Sequence, residues 1–149
     1  GNVIYIVTKL TTYIFLGRSD NIMNTNKNTM TDCELQVMKV IWESDKLLTL
    51  PEILACVNQK YGKEWKAPTV STFLARLVRK DFLSMQRTGR TFIYDSLVSE
   101  KDYRGRVIND CVKFWSGGNV GDFLLALQEE RPLNEDEVGK IKTLLARHK

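Results

Sequence analysis

Beyond residue 30, apolar side chains recur at helical intervals, and the interval gives way to alternation only once. In Thr31–Ser44 (TDCELQVMKVIWES), Leu35, Met38, Ile41 and Trp42 mark one face of a helix. Thr31 is a suitable N-cap, and Glu34 stands three residues on, at capping-box spacing. Leu47–Leu50 reads as a short extended piece leading to Pro51. A second helix over Pro51–Tyr61 turns Ile53, Leu54, Val57 and Tyr61 inward and stops at Gly62. A third runs over Pro68–Lys80, within WKAPTVSTFLARLVRK, with Val70, Phe73, Leu74, Leu77 and Val78 as its apolar stripe. Pro68 suits its first turn, where the missing N–H costs nothing. The period then switches. Leu83–Gln86 and Thr91–Ser96 are predicted strands, joined by a turn at Arg87-Thr88-Gly89-Arg90.

Three helices followed by a hairpin are the sequence form of a winged helix-turn-helix, a mainly α fold. The stripe leaves Thr69, Ser71, Thr72, Ala75, Arg76, Arg79 and Lys80 on the other faces of the third helix. Short hydroxyl side chains there let a helix approach a DNA backbone closely, and arginines reach phosphates or guanine edges. An ordinary amphipathic helix with a solvated face has the same pattern, so context decides. Net charge is +4, which is only mildly basic. Its distribution says more. Lys60–Arg90 holds eight basic residues against Glu64 and Asp81, a local +6 that leaves −2 for the rest of the chain. Expected DNA contacts are therefore Lys66, Pro68, Thr69, Ser71, Thr72, Arg76, Arg79 and Lys80 around the third helix, with Arg87 and Arg90 on the wing.

Helical periodicity returns at Ser99–Trp115, capped by Ser99. Asp122–Gln128 is a short, densely apolar helix. Asn134–Arg147 is another, with Asn134 as its cap and Glu135, Asp136 and Glu137 suited to its dipole. These helices are too few and too apolar to bury themselves, so a homodimer is expected. Its residues are Val107, Cys111, Phe114, Trp115, Phe123, Leu124, Leu127, Val138, Ile141, Leu144 and Leu145. Packing back onto the winged helix as an enlarged core is the alternative. The expected domains are a winged-helix domain at 30–98 and a helical dimerisation domain at 99–149, after an extra segment at 1–29. That segment is apolar, then Asn-rich, and too short in its apolar part to span a bilayer. It is expected to be dispensable; a short strand or a flexible arm is the other reading.

A hydrophobic fraction of 43% and a charged fraction of 27% are those of a soluble globular protein. Cys33, Cys56 and Cys111 are far apart and form no CxxC, and the one histidine, His148, is next to the C-terminus. No metal site is expected, and the thiols read as buried and free in a reducing cytoplasm. With no carboxylate pair, nucleophile–base arrangement or phosphate loop, no enzyme and no cofactor are expected.

The chain resembles the penicillinase-repressor (BlaI/MecI/CopY) family of bacterial transcription regulators. The resemblance lies in TDCELQVMKVIW at 31–42, WKAPTVSTFLARLVRKDFL at 65–83, QRTGRTFIYDSLVSEKDY at 86–103 and GGNVGDFLLALQEERPLNEDEVGKIKTLL at 117–145. It implies a dimeric repressor on a palindromic double-stranded DNA operator. The family's DNA-contacting positions fall on Thr69, Ser71, Thr72 and Arg76, and some members carry a longer basic or aromatic side chain where Ser71 stands. In antibiotic-responsive members a membrane sensor-protease leads to cleavage of the tail. That point falls near Ala126–Leu127, where the usual Asn-Phe pair is absent. Copper-responsive members carry a cysteine-rich C-terminal motif, and residues 117–149 contain no cysteine. The competing expectation is a winged-helix protein-interaction module without DNA readout.

Overall fold

The computed structural model describes residues 29–148. The element order is α1 (Asp32–Glu43), β1 (Leu48–Thr49), α2 (Leu50–Tyr61), α3 (Ala67–Arg79), β2 (Leu83–Thr88), β3 (Thr91–Ser96), α4 (Glu100–Ser116), α5 (Val120–Glu130) and α6 (Glu135–Arg147). The mainly α winged helix-turn-helix is thus present, with three further helices after it in the chain. Among the described residues, no helix is long and apolar enough to cross a membrane. The expected extra segment, apart from Thr29, lies outside the described residues.

Each helix of the head starts where the local chemistry allows. Thr31 and Glu34 form the predicted reciprocal cap on α1: the Thr31 hydroxyl accepts the Glu34 N–H at 3.3 Å, and the Glu34 carboxylate accepts the Thr31 N–H at 3.0 Å. At α2 the Glu52 carboxylate accepts both the N–H and the hydroxyl of Thr49, at 3.1 and 2.9 Å. Gly62 ends α2 in the left-handed conformation, φ +60°, which a residue without Cβ adopts without strain.

The three helices meet around one core. Val37, Met38, Val40 and Ile41 of α1 join Ile53 and Val57 of α2 and Val70, Leu74 and Leu77 of α3. Phe82, Leu83 and Tyr94 bring in the sheet, and Tyr103 and Val107 bring in the first half of α4. Each fully buried aliphatic side chain contributes on the order of 1.5–3 kcal/mol. The buried face of α1 is wider than its predicted stripe, since Val37 and Val40 are buried while Leu35 and Trp42 are only partly so. The sheet order is β1-β3-β2, all antiparallel. The predicted extended piece after α1 supplies the edge strand: Leu48 pairs with Tyr94 and Thr49 with Ile93. The wing is longer than expected, because β2 continues to Thr88, which pairs with Thr91. Only Gly89 and Arg90 turn the chain, with Gly89 at φ +63°, as a tight primed hairpin turn requires at that position.

The compact units divide inside α4, between Ile108 and Asn109, rather than ahead of it at 98/99. The reason is that Tyr103 and Val107 are core residues of the first unit. The Tyr103 hydroxyl accepts the buried Met30 N–H at 2.7 Å, and its ring meets Phe82 edge-on at 5.6 Å. Trp42 adds a second tie, its indole N–H donating to the Val98 carbonyl at 2.9 Å and to the Ser96 hydroxyl at 3.0 Å.

In the second unit, Asn119 caps α5 and Asn134 caps α6, each side chain accepting a backbone N–H at 2.9 Å. Arg131 donates to both oxygens of Glu137 at 3.0 Å. Neither α5 nor α6 contains a buried residue. The cysteine expectation needs correcting. Only Cys111 is buried; Cys33 is half-buried and Cys56 is exposed, one position ahead of the inward-facing Val57 and so turned away from the core.

α3 ends in a tight reversal. The Phe82 N–H reaches the Leu77 carbonyl at 3.0 Å and the Asp81 N–H the Val78 carbonyl at 3.1 Å, with Asp81 at φ +64°. This is the two-bond C-terminal motif that glycine fills best. Asp81→Gly is expected to raise unfolding stability by about 0.5–1 kcal/mol, because a left-handed conformation is strained for a residue with Cβ. Urea unfolding of the two proteins measures it, and equal or lower stability would contradict the strain.

Candidate nucleic-acid interface

α3 owes its orientation to contacts on three sides. Val70, Leu74 and Leu77 are fully buried. The Asn58 side chain on α2 grips the turn that leads into α3: its carbonyl accepts the Trp65 N–H at 3.1 Å and its amide donates to the Trp65 carbonyl at 3.0 Å. The Trp65 ring then packs on Phe73, centroids 5.1 Å apart. Nothing in the sequence singled out Asn58, which is a polar residue inside an otherwise ordinary helix pattern.

Held this way, α3 turns Pro68, Thr69, Ser71, Thr72, Ala75, Arg76 and Arg79 to solvent, and all are exposed. At about 100° per residue, Thr72 and Arg79 lie opposite the buried stripe. Thr69 and Arg76 flank them on one side and Ser71 on the other. Small side chains therefore occupy the first two turns and guanidinium groups the last. Thr72 returns its hydroxyl proton to the Pro68 carbonyl at 3.0 Å, which keeps that side chain close to the helix.

The electrostatics of α3 differ from those of every other described helix. The first turns of α1, α2, α4, α5 and α6 each contain at least one carboxylate. The first turn of α3 contains none, and its N-cap, Lys66, makes no side-chain cap. The positive end of the helix dipole is thus left without a neutralising acid and has a lysine beside it. Among the described residues, Lys66, Arg76, Arg79 and Arg90 form no ion pair, whereas Lys39, Lys46 and Lys60 are all paired with glutamates. An exposed helix end and face of this kind suit a polyanion.

The wing carries the other two expected contacts. Arg87 and Arg90 are exposed, and Arg87 curls its Nε–H onto the Gly89 carbonyl at 3.1 Å. Phe92, the cross-strand partner of Arg87, is also exposed, a wing residue that the charge pattern did not bring out.

Two groups of expected residues are placed elsewhere. Lys80 does not belong to the free cationic face: it is turned inward against the carboxylate of Glu34, which is itself buried. Val107 and Cys111 are buried, Val107 in the core of the head. In the single chain neither side chain is at the surface. Phe114, Trp115, Leu144 and Leu145 are exposed, and Phe123, Leu124, Leu127, Val138 and Ile141 are half-buried. Ala126 is exposed and Leu127 half-buried within α5.

A three-helix head with an antiparallel wing and a free cationic face on its third helix defines a winged helix-turn-helix protein. The chain belongs to the penicillinase repressor family, whose sequence pattern matches residues 30–147. It is 28% identical over 120 residues to the penicillinase repressor of Bacillus licheniformis, covering 80% of this chain and 91% of that protein. It is 24% identical over 123 residues to the methicillin resistance regulatory protein MecI of Staphylococcus aureus strain N315, covering 83% of this chain and 98% of that one. A solution structure of the DNA-binding domain of the repressor BlaI is similar at 32% identity and a TM-score of 0.45, over 52% of this chain and 92% of that one.

The Asn58 grip is testable. Asn58→Ala removes both bonds to Trp65 and is expected to cost about 1–3 kcal/mol of stability, two side-chain hydrogen bonds' worth. Chemical denaturation reads it, and a loss under about 0.5 kcal/mol would show that the Trp65–Phe73 packing alone holds the turn.

Proposed function

We infer that this protein is a DNA-binding transcriptional repressor that reads its site with α3. The observation that carries this is the solvent face of α3: no carboxylate in its first turn, small side chains at Thr69, Ser71 and Thr72, and an Arg76 and an Arg79 that pair with no acid among the described residues. In a major groove, Thr69 and Thr72 bind phosphate, Ser71 lies against base edges, and Arg76 contacts a base or phosphate. Pro68, at the start of the helix, lies against the backbone. Lys66 and Arg79 add attraction that does not depend on sequence, and Arg87 and Arg90 anchor the wing.

The working form in this reading is a homodimer on a palindromic operator. Phe114 and Trp115 are exposed at the end of α4, and Leu144 and Leu145 on α6, which has no buried residue; these are the residues a second copy would cover. Phe123, Leu124, Leu127, Val138 and Ile141 would complete that surface. Two reading helices held one DNA turn apart multiply the affinity of a single half-site. Loss of the dimer then releases the operator. Cleavage of the tail near Ala126–Leu127 by a membrane sensor-protease is one route to that loss, and it would act in the cytoplasm.

Two measurements test this reading. Arg76→Ala is expected to weaken binding to a duplex selected from a random library by about 1–3 kcal/mol while changing affinity for unselected DNA much less. An equal loss on both duplexes would remove Arg76 from base reading. Leu144→Asp combined with Leu145→Asp is expected to shift the protein toward monomer in sedimentation and to weaken binding to a two-half-site duplex but not to a single half-site. An unchanged sedimentation coefficient would place the dimer surface elsewhere.

A further inference from the structure

Lys80 follows directly after the last residue of α3, and the charge pattern groups it with the DNA-binding cations. Its surroundings differ from theirs. Nζ donates to Glu34 Oε2 at 2.7 Å, to Glu34 Oε1 at 3.1 Å and to the Thr29 carbonyl at 3.2 Å. The ammonium is thus engaged inside the head, on both oxygens of one carboxylate and on a backbone carbonyl, rather than held out toward a phosphate. The side chain of Glu34 is 1% exposed and that of Lys80 15%. A carboxylate buried to that degree needs its counter-charge, and freeing Lys80 would leave it uncompensated. Glu34 Oε2 also accepts the Thr31 N–H, which joins the start of α1 to the same group. At the α3 end, the Lys80 backbone N–H donates to the carbonyl of Arg76 at 2.9 Å. One buried carboxylate thus ties the start of α1 and the carbonyl of residue 29 to the C-terminal turn of α3, the turn that carries Arg76 and Arg79.

We propose that Glu34 and Lys80 are positioning residues for DNA recognition: their buried pair sets the angle and depth at which the arginine-bearing end of α3 meets DNA, and Lys80 itself does not touch DNA. This rests on the reading of α3 as the recognition helix. It also separates two roles that predict opposite signs. If Lys80 were a phosphate contact restrained by Glu34, removing the acid would release a cation and strengthen binding to any DNA. If the pair positions α3, removing either partner harms selective binding alike.

The test uses the full chain with Glu34→Gln, Lys80→Met and Lys80→Arg, a duplex selected from a random library by the wild-type chain, and an unselected duplex of equal length. Binding is measured over a range of salt concentrations. Glu34→Gln and Lys80→Met are both expected to lose about tenfold in affinity for the selected duplex, the scale of one lost base contact. Affinity for the unselected duplex and the salt slope should stay unchanged, and Lys80→Arg, which keeps the pair, should retain selectivity. The proposal is overturned if Lys80→Met weakens both duplexes and lowers the salt slope by about 0.9, the signature of a lost phosphate contact, while Glu34→Gln strengthens both. It is equally overturned if neither variant changes selectivity. Should Glu34→Gln or Lys80→Met not fold, Glu34→Asp decides: it keeps the charge and shortens the reach, so a selective loss supports the proposal and its absence overturns it. A wild-type chain with no preference for any selected duplex would sink the repressor reading itself, and the positioning role with it.

Discussion

The head of this protein depends on how one short helix is held. α3 must bury Val70, Leu74 and Leu77 completely and still leave its opposite side bare. Thirteen residues cannot hold such an orientation through propensity alone, since isolated helices of that length are marginal in water. The neighbours supply the rest: the buried stripe against α1 and α2, Asn58 on the turn before the helix, and Glu34 on the lysine after it. With both ends and one side fixed, the free side is presented as a rigid surface.

That rigidity explains the division of charge. The cations of the head fall into two populations. Lys39, Lys46, Lys60 and Lys80 are committed to glutamates that tie helices together or cap them. Lys66, Arg76, Arg79 and Arg90 have no acidic partner among the described residues and surround the α3 and wing surfaces. A local excess of positive charge is thus partly structural, and only the uncommitted part is available to attract a polyanion. Exposed ion pairs contribute little to stability, but they withdraw their cations from long-range steering.

The second unit follows a different rule. α5 and α6 are well capped by Asn119 and Asn134 yet contain no fully buried residue. Good local chemistry without burial is the state of helices whose stabilising contacts come from elsewhere, which is why the proposed dimer surface is sought on them. α4 belongs to both units. Its first half is locked into the head by Tyr103 and Val107, and Tyr103 accepts the backbone N–H of Met30.

Much of this was legible in the chain itself. Element types and order followed from periodicity, because apolar spacing of 3.6 or 2 reflects burial of one face. The caps at Thr31, Ser99 and Asn134 were visible because they depend on residues three positions apart. The solvent face of α3 was visible for the same local reason. Other features needed the tertiary structure, because they join residues distant in sequence. Glu34 and Lys80 are 46 positions apart, and only folding turns two ordinary surface-type residues into a buried pair. Asn58 becomes a clamp only once the chain has turned at Gly62. Val107 and Cys111 read as partner-facing because a helical stripe does not say what covers it. The sequence alone determined which helix offers small and basic side chains to solvent. The packing decided which of those cations are free, since one lysine is claimed by a buried carboxylate that no local pattern connects to it.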